Sequence, residues 1–125
     1  QKYTTFWTMP FDIMRRPIIL DGYYERTLLE GMCELVANKN GVVLDVGANI
    51  GNHTVFFSTQ FSKVFSFEPV PSNCWILKAN LYANGVLLED SVDYTTSSGV
   101  WSLTTPYTTT SVVFVQQTFA SAGAA

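Results

Sequence analysis

The sequence predicts an α/β fold with a parallel sheet, and three features of the chain support this prediction. Residues 41–54 have the pattern of a buried strand, a tight glycine turn and the beginning of a helix. An open α/β sheet forms a binding crevice in this way, at the carboxyl end of a strand. Residues 64–67 are a second strand pattern that leads into Glu68, and helical patterns follow both strands, as in parallel βαβ units.

Helical and strand patterns alternate along the middle of the chain. The first helix is predicted over residues 23–38, because Tyr24, Leu28, Met32 and Val36 recur on one stripe. After it come strand 42–46, helix 52–60, strand 64–67, helix 73–84 with Ser72 as N-cap, and strand 86–88. Right-handed crossovers place successive strands side by side, so the expected strand order is third, second, first.

The two ends of the chain differ from this middle part. Residues 1–20 are predicted to be an extended segment, since Pro10 and Pro17 break any helix. Residues 21–93 form the α/β unit. Residues 94–125 lack charged side chains and are rich in Thr, Ser and Val, which predicts a β extension with a frayed tail.

The β extension contains a predicted hairpin and one further strand. Strands 92–95 and 100–103 flank a turn at Ser97-Ser98-Gly99, and residues 111–116 have a third strand pattern. Uncharged edges of this kind invite pairing with another chain. We therefore expect self-association through the C-terminal strand edge.

Composition limits the classes of partner. The chain is 47% hydrophobic and 14% charged with a net charge of -3, which is typical of a soluble globular protein without a basic nucleic-acid footprint. No apolar run reaches the length of a membrane span and no signal peptide is visible, so we expect a cytoplasmic protein without a membrane partner. Cys33 and Cys74 lie on separate predicted helices without metal-ligand spacing, which favours buried free thiols and no metal.

Three kinds of ligand bind at a motif of strand, glycine turn and helix, and the side chains of this motif distinguish among the three. A phosphate-binding loop needs Lys and Ser or Thr after its last glycine, whereas Gly51 precedes Asn52. A dinucleotide site needs a third glycine, and Asp45 opposes a nearby pyrophosphate by about 4 kcal/mol at an effective dielectric constant of about 20. A ligand with an ammonium or sulfonium charge is favoured, and S-adenosylmethionine carries both without a phosphate.

The second strand adds a nucleoside signal. Glu68 lies 21 residues after Gly47, close to the position where an acidic residue accepts hydrogen bonds from ribose hydroxyls. Nicotinamide and methionine cofactors share this spacing. It therefore predicts a nucleoside without choosing between them.

The motifs together resemble one enzyme family. Leu-Asp-Val-Gly-Ala-Asn-Ile-Gly-Asn-His-Thr (44–54) and Phe-Glu-Pro-Val-Pro-Ser-Asn (67–73), followed by Leu77, Asn80 and Asn84, resemble the FkbM-type methyltransferases. These enzymes depend on S-adenosylmethionine and have the Rossmann-like class I fold. Asp-Gly-Tyr-Tyr-Glu (21–25) is similar to the stretch that opens their first helix, and the resemblance covers about residues 20–100.

The resemblance implies roles for seven residues and a reaction. The reaction is methyl transfer to a small-molecule or glycan hydroxyl, as on a sugar or natural product, and no catalytic base is identifiable. His53 is expected to be structural, because it lies in the first turn of a helix beneath the cofactor. The cofactor-binding residues implied are Gly47, Ala48, Asn49 and Gly51 under the methionine part, Asp45 at its amino end, Glu68 on the ribose, and Ser91 (with Asp90) beside the adenine.

The sequence departs from the family beyond the third strand. The family continues with a Lys-Ile-Asp-Val-Glu-Gly segment and further strands, which are absent here. A complete sheet with its helices needs roughly 200 residues, so this chain of 125 is expected to hold the N-terminal half of the fold plus the hairpin and not to transfer methyl groups alone. A non-catalytic interaction module and, less favoured, an NAD-dependent oxidoreductase remain as alternatives.

Overall fold

A computed structural model describes residues 4–86 together with the backbone of strands 88–90, 94–97, 100–103 and 112–116. The α/β class is confirmed. In chain order the elements are α1 (Arg15–Asp21), α2 (Arg26–Leu35), β1 (Val42–Val46), α3 (Asn52–Ser58), β2 (Lys63–Glu68), α4 (Pro71–Ala83), β3 (Leu88–Asp90), β4 (Tyr94–Ser97), β5 (Val100–Leu103) and β6 (Val112–Gln116).

The main sheet has four described strands in the order β1-β2-β6-β3. β1 and β2 are parallel and paired from Val42 with Lys63 to Val46 with Phe67, as the sequence predicts. The prediction that the third strand neighbours β2 is wrong, because β6 pairs in parallel with both β2 and β3. The Val-Val-Phe-Val run of β6 suits a central strand, whereas the two carboxylates of Leu-Glu-Asp suit β3 to an edge.

The C-terminal strands divide between two sheets. β4 and β5 pair antiparallel, with Tyr94 opposite Leu103, so the predicted hairpin is confirmed, although its first strand lies two residues later than predicted. The other predicted C-terminal strand is β6, which lies inside the main sheet and has no free edge. Self-association stays a prediction, and among the described C-terminal strands only β4 and β5 have an unpaired side for it. The predicted tail lies outside the described residues.

The core forms where α2, α3 and α4 meet β2. Its buried cluster includes Leu29 and Cys33 of α2, which lie one position along from the predicted stripe of Leu28 and Met32. The helix begins only at Arg26, after Glu25 in a left-handed conformation, so the predicted stripe loses its first member, Tyr24. Cys33 and Cys74 are buried free thiols, as expected. The other members of the cluster are Ala48, Val55, Phe56, Phe57, Phe61, Val64, Leu77 and Leu81.

One face of β1 is open. Val42, Leu44 and Val46 are exposed, while Asp45, on the other face of the strand, is buried. Within the described sheet β1 is also an edge strand, paired only with β2. The structure therefore presents an apolar strand face to solvent beside the glycine turn.

The N-terminal segment is not wholly extended. The prediction that Pro17 excludes a helix is wrong, because Pro17 occupies the first turn of α1, where the missing N–H has no partner within the helix in any case. Met14 and Ile18 pack against Ile50 of the glycine turn. In the described part of the chain no helix is long and apolar enough to cross a membrane.

Candidate functional site

The glycine turn, residues 47–51, is folded onto the end of β2. The backbone N–H groups of Gly47 and Ala48 both donate to the Phe67 carbonyl oxygen, at 2.8 and 3.0 Å. The Gly51 N–H donates to the Ala48 oxygen at 2.8 Å and closes the turn before α3. These bonds fix the path of the backbone between the carboxyl ends of the two strands.

Glycine is favoured at two positions of the turn for physical reasons that differ in part. Both are left-handed, with φ of 81° at Gly47 and 88° at Gly51, which disfavours any side chain. A Cβ at Gly51 would lie 3.1 Å from Leu77 Cγ, so this glycine lets the turn approach α4. A Cβ at Gly47 would meet no atom within 4 Å, so Gly47 faces open space.

Glu68 holds the turn from the end of β2. Its Oε2 accepts the N–H of Asn49 at 2.7 Å, and its Oε1 accepts the N–H of Val70 at 2.8 Å. The side chain is 5% exposed. Asn49 has φ of 52°, which an asparagine tolerates better than most residues. The carboxylate therefore positions both loops that border the strand ends.

Asp45 lies beneath the turn in a buried polar cluster. Its Oδ2 accepts the hydroxyl of Thr54 at 2.6 Å, and that hydroxyl shares a 2.8 Å hydrogen bond with Ser66. All three side chains are buried, on the face of β1 and β2 that α3 covers. Burial raises the pKa of Asp45 above its ordinary value of 3.8, and the hydrogen bonds of Thr54 partly oppose this rise.

The raised pKa of Asp45 predicts a pH-dependent stability difference. The folded protein binds the Asp45 proton more tightly than the unfolded chain does, and this tighter binding contributes to stability. The contribution is fully present below about pH 3.8 and is lost as the pH rises through the raised pKa of the folded state. Relative to wild type, Asp45→Asn should thus gain stability between pH 4 and pH 7. Urea unfolding across this range measures it, with exposed Asp21→Asn as control, and a constant difference would contradict the assignment.

Three asparagines bind the backbone of the N-terminal region through their side-chain amides. The sequence does not identify them as a group. Asn80 lies on α4 and Asn84 is the residue that caps the end of this helix. Each pairs its amide with both backbone polar groups of one residue, Trp7 and Thr5 respectively, at 2.6–3.1 Å. Asn52 does the same with Tyr24. The sequence shows that these three residues are asparagines, but it does not show that each side-chain amide faces a peptide group.

Asn80 also links this region to the glycine turn. Its Nδ2 donates to the Ile50 carbonyl oxygen at 2.7 Å, and the side chain is 0% exposed. One buried amide thus joins the N-terminal segment, α4 and the turn. The positions of the three parts are coupled through it.

The structure brings together six of the seven residues expected to bind the cofactor. Those six lie at the carboxyl ends of β1 and β2: Asp45, Gly47, Ala48, Asn49, Gly51 and Glu68. Ser91 lies outside the described residues, and β3, which ends at Asp90, is separated from β2 by β6. His53 is half-exposed, with Nε2 3.3 Å from a Glu25 oxygen. Within the described residues no His, Cys, Asp and Glu group is arranged to hold a metal ion.

Comparison with known proteins adds one weak structural likeness. No model of a known protein family matches this chain, and no curated protein matches it. The crystal structure of the YcgJ protein from Bacillus subtilis is similar to this chain, with a TM-score of 0.48 and 16% sequence identity. The likeness covers 72% of this chain and 29% of the YcgJ chain, so the chain spans less than a third of that protein's length.

Proposed function

We propose that the glycine turn binds S-adenosylmethionine and that the chain is part of an FkbM-type methyltransferase with the class I fold. The hydrogen bonding of the turn supports this most strongly. Its amides at 47, 48, 49 and 51 all donate within the protein, to the Phe67 oxygen, Glu68 and the Ala48 oxygen. They are therefore not available to a ligand.

This arrangement disfavours a phosphate-bearing cofactor. A pyrophosphate is held by free backbone N–H groups at a turn and helix N-terminus, and here the four turn donors at 47, 48, 49 and 51 are already used. Two buried carboxylates, Asp45 and Glu68, add unfavourable charge beside the turn. NAD is accordingly the less favoured ligand.

The same features suit a cationic nucleoside. The two carboxylates favour an ammonium and a sulfonium group, and Gly47 leaves the space in front of the turn open. A carboxylate has about four lone-pair sites. The Asn49 and Val70 amides occupy two of those of Glu68, so it keeps acceptor capacity for ribose hydroxyls.

The proposed reaction is methyl transfer to the hydroxyl of a small-molecule or glycan acceptor. S-adenosylmethionine supplies the methyl group: its S–CH3 bond breaks as the O–CH3 bond forms, S-adenosylhomocysteine leaves, and the hydroxyl proton is released to solvent. The residues of the turn orient the cofactor, and an oriented acceptor accounts for most of the acceleration. The buried free thiols Cys33 and Cys74 suit a reducing compartment, and we propose a cytoplasmic location.

Gly47→Ala tests the site against a matched control. Gly47 and Gly85 are both left-handed, and an added Cβ at either meets no atom within 4 Å. Each substitution should cost about 1–2 kcal/mol of backbone strain, but only Gly47→Ala places a methyl group in the ligand space. Calorimetric titration with S-adenosylhomocysteine should show affinity lowered about tenfold or more (about 1.4 kcal/mol) in Gly47→Ala alone. Equal affinities in the two variants would refute the site.

A non-catalytic interaction module is the second candidate, favoured by the open face of β1. Val42, Leu44 and Val46 are exposed together on an edge strand of the described sheet, and such edges pair readily with other chains. Absence of S-adenosylhomocysteine binding, together with self-association that Leu44→Ser abolishes, would favour this function over methyl transfer.

A further inference from the structure

A groove lies between residues 6–10 and α1. Its volume is about 390 Å³, within the range of small-molecule sites. Its lining is mostly apolar, and Arg15 is the one charged residue in it. The other lining residues are Phe6, Trp7, Thr8, Pro10, Ile18 and Ile19.

Apolar side chains that line the groove are exposed to water, which is unfavourable in free energy. Trp7 is 65% exposed and Ile19 is 70% exposed, although both line the same groove. Contiguous exposed apolar surface of this kind marks binding sites. Among the described residues Arg15 has no ion-pair partner, so its guanidinium is free to meet an anion.

The groove is joined to the glycine turn by packing and by hydrogen bonds. Ile18, in its wall, packs on Ile50. The backbone of Trp7 is fixed by the side-chain amide of Asn80, whose oxygen accepts the Trp7 N–H and whose nitrogen donates to the carbonyl oxygens of Trp7 and Ile50. A ligand in the groove therefore lies next to the proposed cofactor turn without using its residues.

We propose that this groove binds an amphipathic organic anion. The apolar or aromatic part of the ligand packs against Trp7 and Ile19, and its carboxylate, sulfonate or phosphate group pairs with Arg15, whose planar guanidinium binds such oxyanions in a bidentate manner. The groove holds the methyl acceptor, and this last assignment rests on the proposed methyltransferase function. The charge of Arg15 within apolar walls selects this class over neutral sugars.

A pair of fluorescent probes tests the groove. Anilinonaphthalene sulfonate carries the anion, and N-phenylnaphthylamine has the same rings without it. Arg15→Gln should weaken binding of the sulfonate by about tenfold and leave the neutral probe unchanged, whereas Ile19→Ser should weaken both. The neighbouring exposed residues that do not line the groove supply matched controls, Arg16→Gln and Leu20→Ser, which should bind both probes like wild type.

Several outcomes would overturn the proposal. Equal effects of Arg15→Gln and Arg16→Gln would show a general charge effect, and a dimer in sedimentation that Ile19→Ser dissociates would show that a second copy covers the groove. Saturating S-adenosylhomocysteine should not displace the sulfonate, and displacement would overturn the acceptor assignment. Probe binding without any S-adenosylhomocysteine binding would retain the groove and refute the methyltransferase, so the two failures are distinguishable.

Discussion

Glu68→Ala is expected to lower the free energy of unfolding by about 3 kcal/mol or more, since it removes two hydrogen bonds to a charged acceptor, each contributing about 1.5–3 kcal/mol. The N–H groups of Asn49 and Val70 would both lose a charged acceptor in a part-buried setting. From the sequence alone, Glu68 is expected only as a ribose ligand. The structure adds a structural role that changes this expectation.

Urea unfolding measures this effect, and two further variants separate its causes. Glu68→Gln keeps one carbonyl oxygen and should cost about half as much as Glu68→Ala. Glu34→Ala removes an exposed carboxylate from α2 and should change stability by less than about 0.5 kcal/mol. If Glu68→Ala proves as stable as Glu34→Ala, Glu68 does not hold the turn.

Asn80→Ala should be the second strongly destabilising change, by about 2–4 kcal/mol. The substitution leaves the Ile50 oxygen and both backbone groups of Trp7 without their partner around a fully buried side chain. Unpaired buried polar groups cost more than the bond they lose. The expected result is a lower unfolding midpoint and faster amide exchange in the N-terminal segment.

Asn84→Ala is the matched control for Asn80→Ala. Asn84 makes the same paired contact with Thr5, but these two hydrogen bonds are exposed to solvent, so their loss should cost about 1 kcal/mol or less. Equal costs for the two variants would contradict the view that burial of the Asn80 amide fixes the N-terminal segment on the turn.

The sequence is sufficient to predict the part of the fold that carries the site. The apolar run of β1, the glycines and the following helix are local signals, because strand burial, positive φ and helix start each depend on neighbouring residues. The parallel pairing of β1 with β2 follows from one short crossover. Six candidate ligand residues therefore lie where the pattern predicts.

Features that depend on distant contacts are not predictable in this way. Nothing near Val112–Gln116 shows that β6 lies between β2 and β3, because strand order is decided by competition for the sheet. The amide pairs of Asn80 and Asn84 join residues more than 70 positions apart. Likewise, Leu29 is buried and Leu28 is exposed because the face of α2 that meets the core is set by its packing against residues far away in the chain.

Calorimetric titration of the purified chain with S-adenosylhomocysteine and, separately, with NAD tests the central claim most directly. The claim is that a turn with four of its amides used internally, beside two carboxylates, selects a nucleoside without phosphate. We expect one saturable site for S-adenosylhomocysteine, weakened by Gly47→Ala and not by Gly85→Ala, and no binding of NAD. Saturable binding of NAD that Gly47→Ala weakens, without binding of S-adenosylhomocysteine, would contradict it.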